Sequence, residues 1–182
     1  MDPTGPMHGT TIVAMLRGGE LVIGGDGQVT LSNAILKSTA RKVHRIFKDR
    51  VLAGFAGAVA DSVTLLERCE RKLEEGGGNL QRAVHSLAQD WRQDRVLRRL
   101  EAMLIVGDTE HLFIVSGNGD VVRPDDEIAA IGSGAGYALA AARALARHTD
   151  KGPAEIVEEA LRIAASICIY TNDNIHVERL TK

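Results

Sequence analysis

The sequence is poor in aromatic residues and in cysteine, and each scarcity excludes a class of protein. Aromatic residues make up 3% of the 182 residues, whereas glycine occurs 19 times. Such a chain is expected to pack through aliphatic side chains and tight turns. The two cysteines, Cys69 and Cys168, are far apart, and each lies among apolar residues at helical spacing. They predict buried, reduced thiols and exclude the disulfide framework of a small secreted domain.

Long apolar runs, an excess of one charge and metal-binding motifs are also missing. No apolar run approaches the ~20 residues that span a bilayer. The segment Met1–Gly9 lacks the cationic start and apolar stretch of a secretory signal. A net charge of −2 gives the chain no electrostatic reason to bind nucleic acid or an anionic membrane. The six histidines form no HExxH or other paired ligand spacing, and no Gly-x-Ser-x-Gly elbow occurs. We expect a cytoplasmic protein that binds neither nucleic acid nor membrane.

The predicted elements follow the order strands, two helices, strands, two helices, strand. Apolar, β-branched strands over Thr10–Leu16 and Leu21–Gly25 are joined by a Gly-Gly hairpin signal. Val29–Leu36 reads as irregular or as a small hairpin, and Val51–Gly57 as a buried strand.

A helix is predicted next from the spacing of Val59, Val63, Leu66, Cys69 and Leu73. A second helix is predicted to open at Asn79 as a cap, with an apolar stripe of Leu80, Val84, Leu87 and Trp91 that drifts to Leu97 and Leu100. Pro153 suits the first turn of a later helix. Because the helices come in pairs, the pattern is not that of a βαβ parallel sheet. It predicts a single α+β domain in which two antiparallel sheets pack face to face, each covered by a helix pair.

A threonine near the start of the chain, Thr10, is the strongest candidate for a nucleophile. A threonine that begins a chain is self-sufficient, because its own α-amine can take the proton from its hydroxyl. The reference pKa of that amine, ~7.7–8.0, suits a general base at neutral pH. Thr10 follows Gly9 and a short, turn-rich segment, and it precedes an apolar strand that would anchor a new terminus. We therefore predict a removable leader over 1–9 and one peptidase domain over 10–182.

Two other threonines compete with Thr10 for this role. Thr4 is followed by Gly-Pro and by no strand that would hold it in place. Thr11 remains possible, but strand alternation points its side chain away from that of Thr10.

An N-terminal threonine needs supporting groups, and four residues are candidates. A lysine nearby would keep the amine neutral, and a carboxylate would hold that lysine charged and in place; Lys42 and Asp26 fit these roles. Read singly, Asp26 is equally a turn residue in Gly-Gly-Asp-Gly, and Lys42 is typical of a solvated strand edge. Gly57, where a strand gives way to a helix, offers a backbone N–H to an oxyanion. Ser133, at a similar junction, could orient the amine.

Nine segments of the chain together resemble the HslV (ClpQ) family. This family provides the peptidase subunit of the bacterial ATP-dependent protease HslUV and is related to proteasome β subunits. The resemblance runs from Thr10 to the C-terminus without a large gap. The matching segments are Thr10-Thr11-Ile12-Val13, Gly25-Asp26-Gly27-Gln28, Lys42-Val43, Gly54-Phe55-Ala56-Gly57, Asp90-Trp91-Arg92, Arg98-Arg99-Leu100-Glu101-Ala102, Gly117-Asn118-Gly119-Asp120, Ile131-Gly132-Ser133-Gly134 and Ile167-Cys168-Ile169-Tyr170-Thr171-Asn172.

The resemblance implies a fold, a reaction and a set of site residues. The fold is that of the N-terminal-nucleophile hydrolases, a four-layer αββα sandwich, and the reaction is that of a threonine endopeptidase. The family's nucleophile falls on Thr10, its supporting pair on Asp26 and Lys42, its oxyanion glycine on Gly57 and its supporting serine on Ser133. No organic cofactor is expected. A structural sodium ion is implied, bound by the backbone carbonyls of Ala165, Cys168 and Thr171.

The resemblance also implies an assembly and its partners. Twelve copies would form two stacked hexameric rings with the active sites in an inner chamber. Hexamers of the AAA+ ATPase HslU (ClpY) would unfold protein substrates and thread them into that chamber.

Two departures from the family pattern concern the leader and one loop. Many relatives have Met directly before the threonine, whereas nine residues precede Thr10 here, and Met7 is an alternative start. The segment Gly134-Ala135-Gly136-Tyr137 replaces the commoner Gly-Gly-Pro-Tyr. Two alternatives to the peptidase stay open: a non-catalytic ring subunit of the same fold, which would keep its leader, and an amidase acting on a small molecule.

Overall fold

The computed structural model of the protein describes residues 7–8, 10–57, 59–94, 102–116 and 118–182, which form twelve strands and four helices. The strands are β1 (Met7–His8), β2 (Thr11–Arg17), β3 (Glu20–Gly25), β4 (Val29–Leu31), β5 (Ala34–Lys37), β6 (Val43–Ile46), β7 (Val51–Gly57), β8 (Ala102–Gly107), β9 (Leu112–Ser116), β10 (Val121–Val122), β11 (Ile128–Gly132) and β12 (His176–Thr181). The helices are α1 (Val59–Glu75), α2 (Leu80–Gln93), α3 (Ala135–His148) and α4 (Pro153–Ala165).

Two antiparallel sheets form the centre of the fold, as predicted. One has five strands in the order β10-β9-β8-β7-β6, and the other has four in the order β11-β2-β3-β12. The hairpin between β2 and β3 pairs Arg17 with Glu20 across Gly18 and Gly19, whose φ angles are +62° and +81°. Positive φ at both central residues is the geometry that a two-residue hairpin requires, and glycine adopts it without strain.

Three apolar clusters hold the four layers together. Side chains from both sheets, among them Ile12, Ile23 and Ile105, fill the space between the sheets. A second cluster joins the five-stranded sheet to α1 and α2, and a third joins the four-stranded sheet to α3 and α4. The αββα sandwich is therefore confirmed, and its layers bury the start of β2 from Thr11 to Met15.

The helices mostly follow their sequence signals. Asn79 caps α2 by accepting a hydrogen bond from the Arg82 backbone N–H, and Pro153 occupies the first turn of α4. The expected apolar stripe of α1 was partly wrong. Cys69 and Leu73 are buried as expected, whereas Val63 is 52% exposed and the fully buried Leu65 contributes to the core in its place. The predicted continuation of the α2 stripe through Leu97 and Leu100 lies outside the described residues.

A third sheet was not expected. The segment after β3 read as irregular or as a small hairpin, and it does form the β4–β5 hairpin. To that hairpin β1 is added, with Met7 opposite Leu31 and His8 opposite Thr30 in an antiparallel register. Met7 and His8 therefore lie along the β4 edge as an added strand, shortly before Thr10 in the chain.

Both thiols are free and buried, as the sequence predicted. Desolvation in the helix layer raises the pKa of Cys69 to about 12, which makes it inert as a nucleophile. Among the described residues, no helix has the length and hydrophobicity that crossing a bilayer would require.

Candidate active site

Thr10 lies between β1 and β2 in the chain, at the edge of the four-stranded sheet's first strand. It directly precedes β2 and is only 7% exposed. Its carbonyl oxygen accepts a hydrogen bond of 2.8 Å from the backbone N–H of Ser133, at the end of β11. The apolar strand that follows, buried from Thr11 to Met15, fixes this end of the chain in the core.

Asp26 follows β3, the hairpin partner of β2, and its buried carboxylate is surrounded by donors. Oδ1 accepts from the Thr11 backbone N–H at 2.7 Å and from Lys42 Nζ at 2.9 Å. Oδ2 accepts from the backbone N–H groups of Gln28 at 2.9 Å and Asn172 at 3.3 Å. A buried charge is tolerated only when it is paired and hydrogen-bonded in this way. The turn interpretation of Asp26 therefore does not account for its position.

Lys42 is buried, not at a solvated strand edge. Its ammonium pairs with Asp26 and also donates to the Gln28 carbonyl at 2.6 Å. Burial lowers the pKa of Lys42 below its ordinary value, and the Asp26 charge and hydrogen bond oppose that effect. Because Lys42 and the Thr11 amide share one oxygen of Asp26, the ammonium lies beside the backbone of the residue next to Thr10.

The side chain of Thr11 belongs to a different network. Its hydroxyl oxygen lies 2.7 Å from Thr171 Oγ1 and accepts from the Gly134 backbone N–H at 2.9 Å. Thr11 is completely buried in these contacts. It joins the start of β2 to the loop after β11 and to the segment after α4, which is a structural role.

Gly57 and Ser133 occupy the two strand-to-helix junctions that the sequence indicated. Gly57 ends β7 with an exposed backbone at φ +139°, and α1 begins two residues later. Ser133 is exposed and lies between β11 and α3. A methyl group on Gly132 would come within 3.3 Å of Ala56 Cβ, which brings the two junctions to the same place beside Thr10.

The three proposed sodium ligands lie at and just after the end of α4. Ala165 is the last helical residue, and the Cys168 carbonyl already accepts from the Thr171 N–H at 3.0 Å. Carbonyls in the last turn of a helix lack intrahelical donors and carry the negative end of the helix dipole. Among the described residues, no group of three or more His, Cys, Asp or Glu side chains is placed to hold a metal ion. Oxygen donors of the backbone at a helix C-terminus fit a hard monovalent cation.

Two site residues were not found from the sequence. Gln28 donates through Nε2 to the Ile169 carbonyl at 2.8 Å, and Asn172 contacts Asp26 and its neighbouring segments. Both appear inside segments that carry the family resemblance, and that was their only signal in the sequence. Their partners lie more than a hundred positions away, so no local spacing reveals the contacts.

Two glycines near the junction of β11 and α3, Gly132 and Gly136, are expected to respond differently to substitution by alanine. Gly132 has φ +95°, and a Cβ there would lie 2.0 Å from the Thr10 carbonyl oxygen. We expect Gly132→Ala to displace Thr10 and lower peptide turnover by about 100-fold, since a shift near 1 Å has that effect. The measurement is hydrolysis of a fluorogenic peptide.

Gly136→Ala is the matched control. Nothing lies within 4 Å of a Cβ on Gly136, which sits in the first turn of α3. Alanine there should leave turnover unchanged and stabilise the helix by about 0.5–1 kcal/mol. Equal turnover in the two variants would contradict the close approach at Gly132.

Comparisons with known proteins agree with this geometry. The family model "Proteasome subunit" matches residues 7–180. The ATP-dependent protease subunit HslV of Caldicellulosiruptor saccharolyticus is 61% identical over 174 residues, which cover 95% of this chain and 99% of the relative. The HslV subunit of Syntrophobacter fumaroxidans is 56% identical, covering 96% and 97%. The crystal structure of HslV from Trypanosoma brucei matches with a TM-score of 0.90 and 44% identity, over 94% of this chain and 99% of that one.

These matches extend over nearly the whole chain, so they include both central sheets and the helices that cover them. The family predicted from the motifs around Thr10 is thus confirmed. The chain belongs to the proteasome-subunit family and, within it, to the HslV peptidases, which are threonine peptidases with an N-terminal nucleophile.

Proposed function

We propose that the chain is the proteolytic core subunit of an ATP-dependent protease and that it acts through Thr10 after loss of residues 1–9. The observation that carries this proposal is the buried Lys42–Asp26 pair, at 2.9 Å, which shares its carboxylate oxygen with the Thr11 amide. A buried lysine charge at this place has a chemical use if Thr10 carries a group whose proton affinity the charge can lower. A free α-amine on Thr10 is that group.

The reaction follows from the positions of these groups. Cleavage of the Gly9–Thr10 bond frees the α-amine, which takes the proton from Thr10 Oγ as the oxygen attacks a peptide carbonyl. The Gly57 N–H stabilises the oxyanion, and the amine passes the proton to the departing amine of the substrate. An acyl ester remains on Thr10. Water, deprotonated by the same α-amine, hydrolyses the ester and restores the hydroxyl.

Lys42 and Ser133 support the base in different ways. The positive charge of Lys42 disfavours a second positive charge on the Thr10 amine, so the amine stays neutral and able to accept a proton near pH 7. Ser133 donates its backbone N–H to the Thr10 carbonyl, and its hydroxyl would orient the amine.

An extended polypeptide is the proposed substrate, and the pairing of Met7 and His8 with β4 supports it. Met7 and His8 pair with β4 as an added strand, and they precede the Gly9–Thr10 bond as the acyl side of a substrate precedes its scissile bond. Backbone pairing of this kind depends little on the side chains of the bound peptide. It suits the degradation of unfolded or misfolded proteins.

Assembly and partners follow from the family. Two hexameric rings would stack into a homo-dodecamer in the cytoplasm, and HslU (ClpY) hexamers would thread unfolded proteins into it. The names of both bacterial relatives, subunits of an ATP-dependent protease, support the need for an ATPase. Confinement within a ring would keep an unselective nucleophile away from folded cytoplasmic proteins.

A sodium ion at the backbone carbonyls of Ala165, Cys168 and Thr171 is part of the proposal. The ion would neutralise carbonyl dipoles after α4 and hold the loop in shape. Thr171 Oγ1 contacts Thr11, and Gln28 holds the Ile169 carbonyl, so this loop packs directly on the catalytic segment.

The alternative, a non-catalytic ring subunit, is disfavoured by the same residues. A ring scaffold has no need to bury the Lys42–Asp26 pair or to keep a glycine at positive φ at position 57. The two functions differ in the fate of the leader, and a mass measurement separates them.

The test is the intact mass and the activity of the purified particle. The chain should begin at Thr10, the particle should contain twelve copies by native mass spectrometry, and HslU with ATP should stimulate hydrolysis of a fluorogenic peptide. ADP in place of ATP is the control and should give no stimulation. Particles that turn over peptide with residues 1–9 attached would overturn the mechanism, and an inactive particle with an intact leader would favour the scaffold.

A further inference from the structure

Three separate segments of the chain meet at the side chain of Asn172. Its Oδ1 accepts from the Gly27 backbone N–H at 3.0 Å, and its Nδ2 donates to the Ser38 carbonyl at 2.9 Å. Its backbone N–H donates to Asp26 Oδ2 at 3.3 Å. The orientation of the amide is set by its partners, since a backbone N–H needs an acceptor and a carbonyl needs a donor. One side chain therefore joins the segments after β3, after β5 and after α4.

The first two of these segments carry the catalytic pair. Asp26 immediately precedes Gly27, and Ser38 begins the stretch that leads into Lys42. Their backbones already touch: the Gly27 carbonyl accepts from the Ala40 N–H at 2.9 Å, and a Cβ on Gly27 would lie 2.2 Å from the Ser38 carbonyl oxygen. The Asn172 side chain adds a second connection between the same two segments, through Gly27 and Ser38. The separation of the two backbones is therefore also set by the length of this side chain.

We propose that Asn172 is a positioning residue that sets the geometry of the Asp26–Lys42 pair by bracing the backbone on both sides of it. This proposal rests on the proposed function, because it assigns Asn172 a role in turnover through Thr10. Asn172 does not touch the reacting atoms. Its effect reaches them through the Asp26 carboxylate, to which it also donates directly.

The chemistry of the bridge explains why an amide is required. Aspartate has the shape of asparagine and could still accept from Gly27, but it would place an oxygen against the Ser38 carbonyl and a negative charge beside Asp26. Alanine would remove the side-chain bonds to Gly27, Ser38 and Asn174 and leave the backbone N–H on Asp26 in place. Both changes loosen the two segments, and neither removes a group that binds peptide along β4.

The experiment compares Asn172→Ala and Asn172→Asp with the same changes at Asn174. Asn174 lies two positions further along the chain with an exposed side chain. Its backbone N–H donates to Asn172 Oδ1 at 3.3 Å, and this bond is retained when the Asn174 side chain is changed. Full-length protein is purified with HslU. For each variant the intact mass, the melting temperature, and kcat and KM for a fluorogenic peptide are measured, and kcat is expressed per chain that begins at Thr10.

We expect kcat to fall at least about tenfold in both Asn172 variants while KM stays within twofold, since small displacements of catalytic groups act on turnover. Both Asn174 variants should match the wild type. A kcat per mature chain within twofold of wild type overturns the proposal, even if the melting temperature falls, because the role would then be structural. A rise in KM alone also overturns it, since Asn172 would then act on peptide binding.

Failure of the proposed function has a different signature. If the Thr10→Ala variant turns over peptide as fast as the wild type, the proposed mechanism itself is wrong. If wild-type turnover depends on Thr10 and the Asn172 variants are normal, only the assignment of Asn172 is wrong.

Discussion

Thr10→Ala is expected to leave the particle assembled but without peptidase activity. The change removes the oxygen that attacks the substrate, and loss of a nucleophile lowers kcat by at least about 10³-fold. The same oxygen is expected to cut the Gly9–Thr10 bond, so residues 1–9 should stay attached. Hydrolysis of a fluorogenic peptide in the presence of HslU and ATP, together with intact mass, measures both effects.

Thr10→Ser is the matched control for this change. Serine keeps the hydroxyl and the α-amine and loses only a methyl group from a site that is 7% exposed. It should process its leader and keep measurable turnover. Activity of Thr10→Ala within tenfold of the wild type would show that another residue is the nucleophile.

Lys42→Met should abolish turnover and also destabilise the fold. It leaves the Asp26 carboxylate buried without its cation, supported only by backbone N–H groups from Thr11, Gln28 and Asn172. Removing one partner of a buried ion pair costs about 3–5 kcal/mol of unfolding free energy. Thermal or denaturant unfolding at one fixed protein concentration measures that loss, and peptide hydrolysis measures the activity.

A double variant separates the two effects. Asp26→Asn with Lys42→Met removes both charges at similar volume, so part of the lost stability should return while turnover stays absent. Arg162→Ala is the surface control, because it breaks an exposed ion pair with Glu158 and such pairs contribute about 1 kcal/mol or less. If the Lys42 variant were as stable as the Arg162 variant, the buried pair would not have the energetic role described here.

Local sequence patterns correctly predicted turns and helix starts, because these features depend on neighbouring residues. Gly18 and Gly19 predicted a hairpin, and Asn79 and Pro153 predicted the starts of two helices. The exposed Val63 shows the limit of such patterns, since the same helix is buried instead through Leu65, and only the layer against which α1 packs decides between them. The β1–β4 pairing also had no signal, because an added edge strand depends on contacts between distant segments.

The Asp26–Lys42 pair was predicted by chemical requirement and by family resemblance, not by spacing, and the two side chains do meet. An N-terminal amine needs a cation, and a buried cation needs a carboxylate, so Lys42 and Asp26 could be named before their contact was known. Asn172 could not be named in this way. Its contacts are backbone groups, which every residue possesses, and no residue type at positions 27 or 38 marks them in advance.

The strand that the leader adds to β4 gives one cleavage event two results. Under the proposed mechanism, Met7 and His8 would keep a peptide from pairing with that edge while the Thr10 nitrogen is still part of an amide. Cleavage after Gly9 would then create the reactive amine and free the edge of β4 at the same time. A newly made subunit would therefore stay inactive until its own maturation.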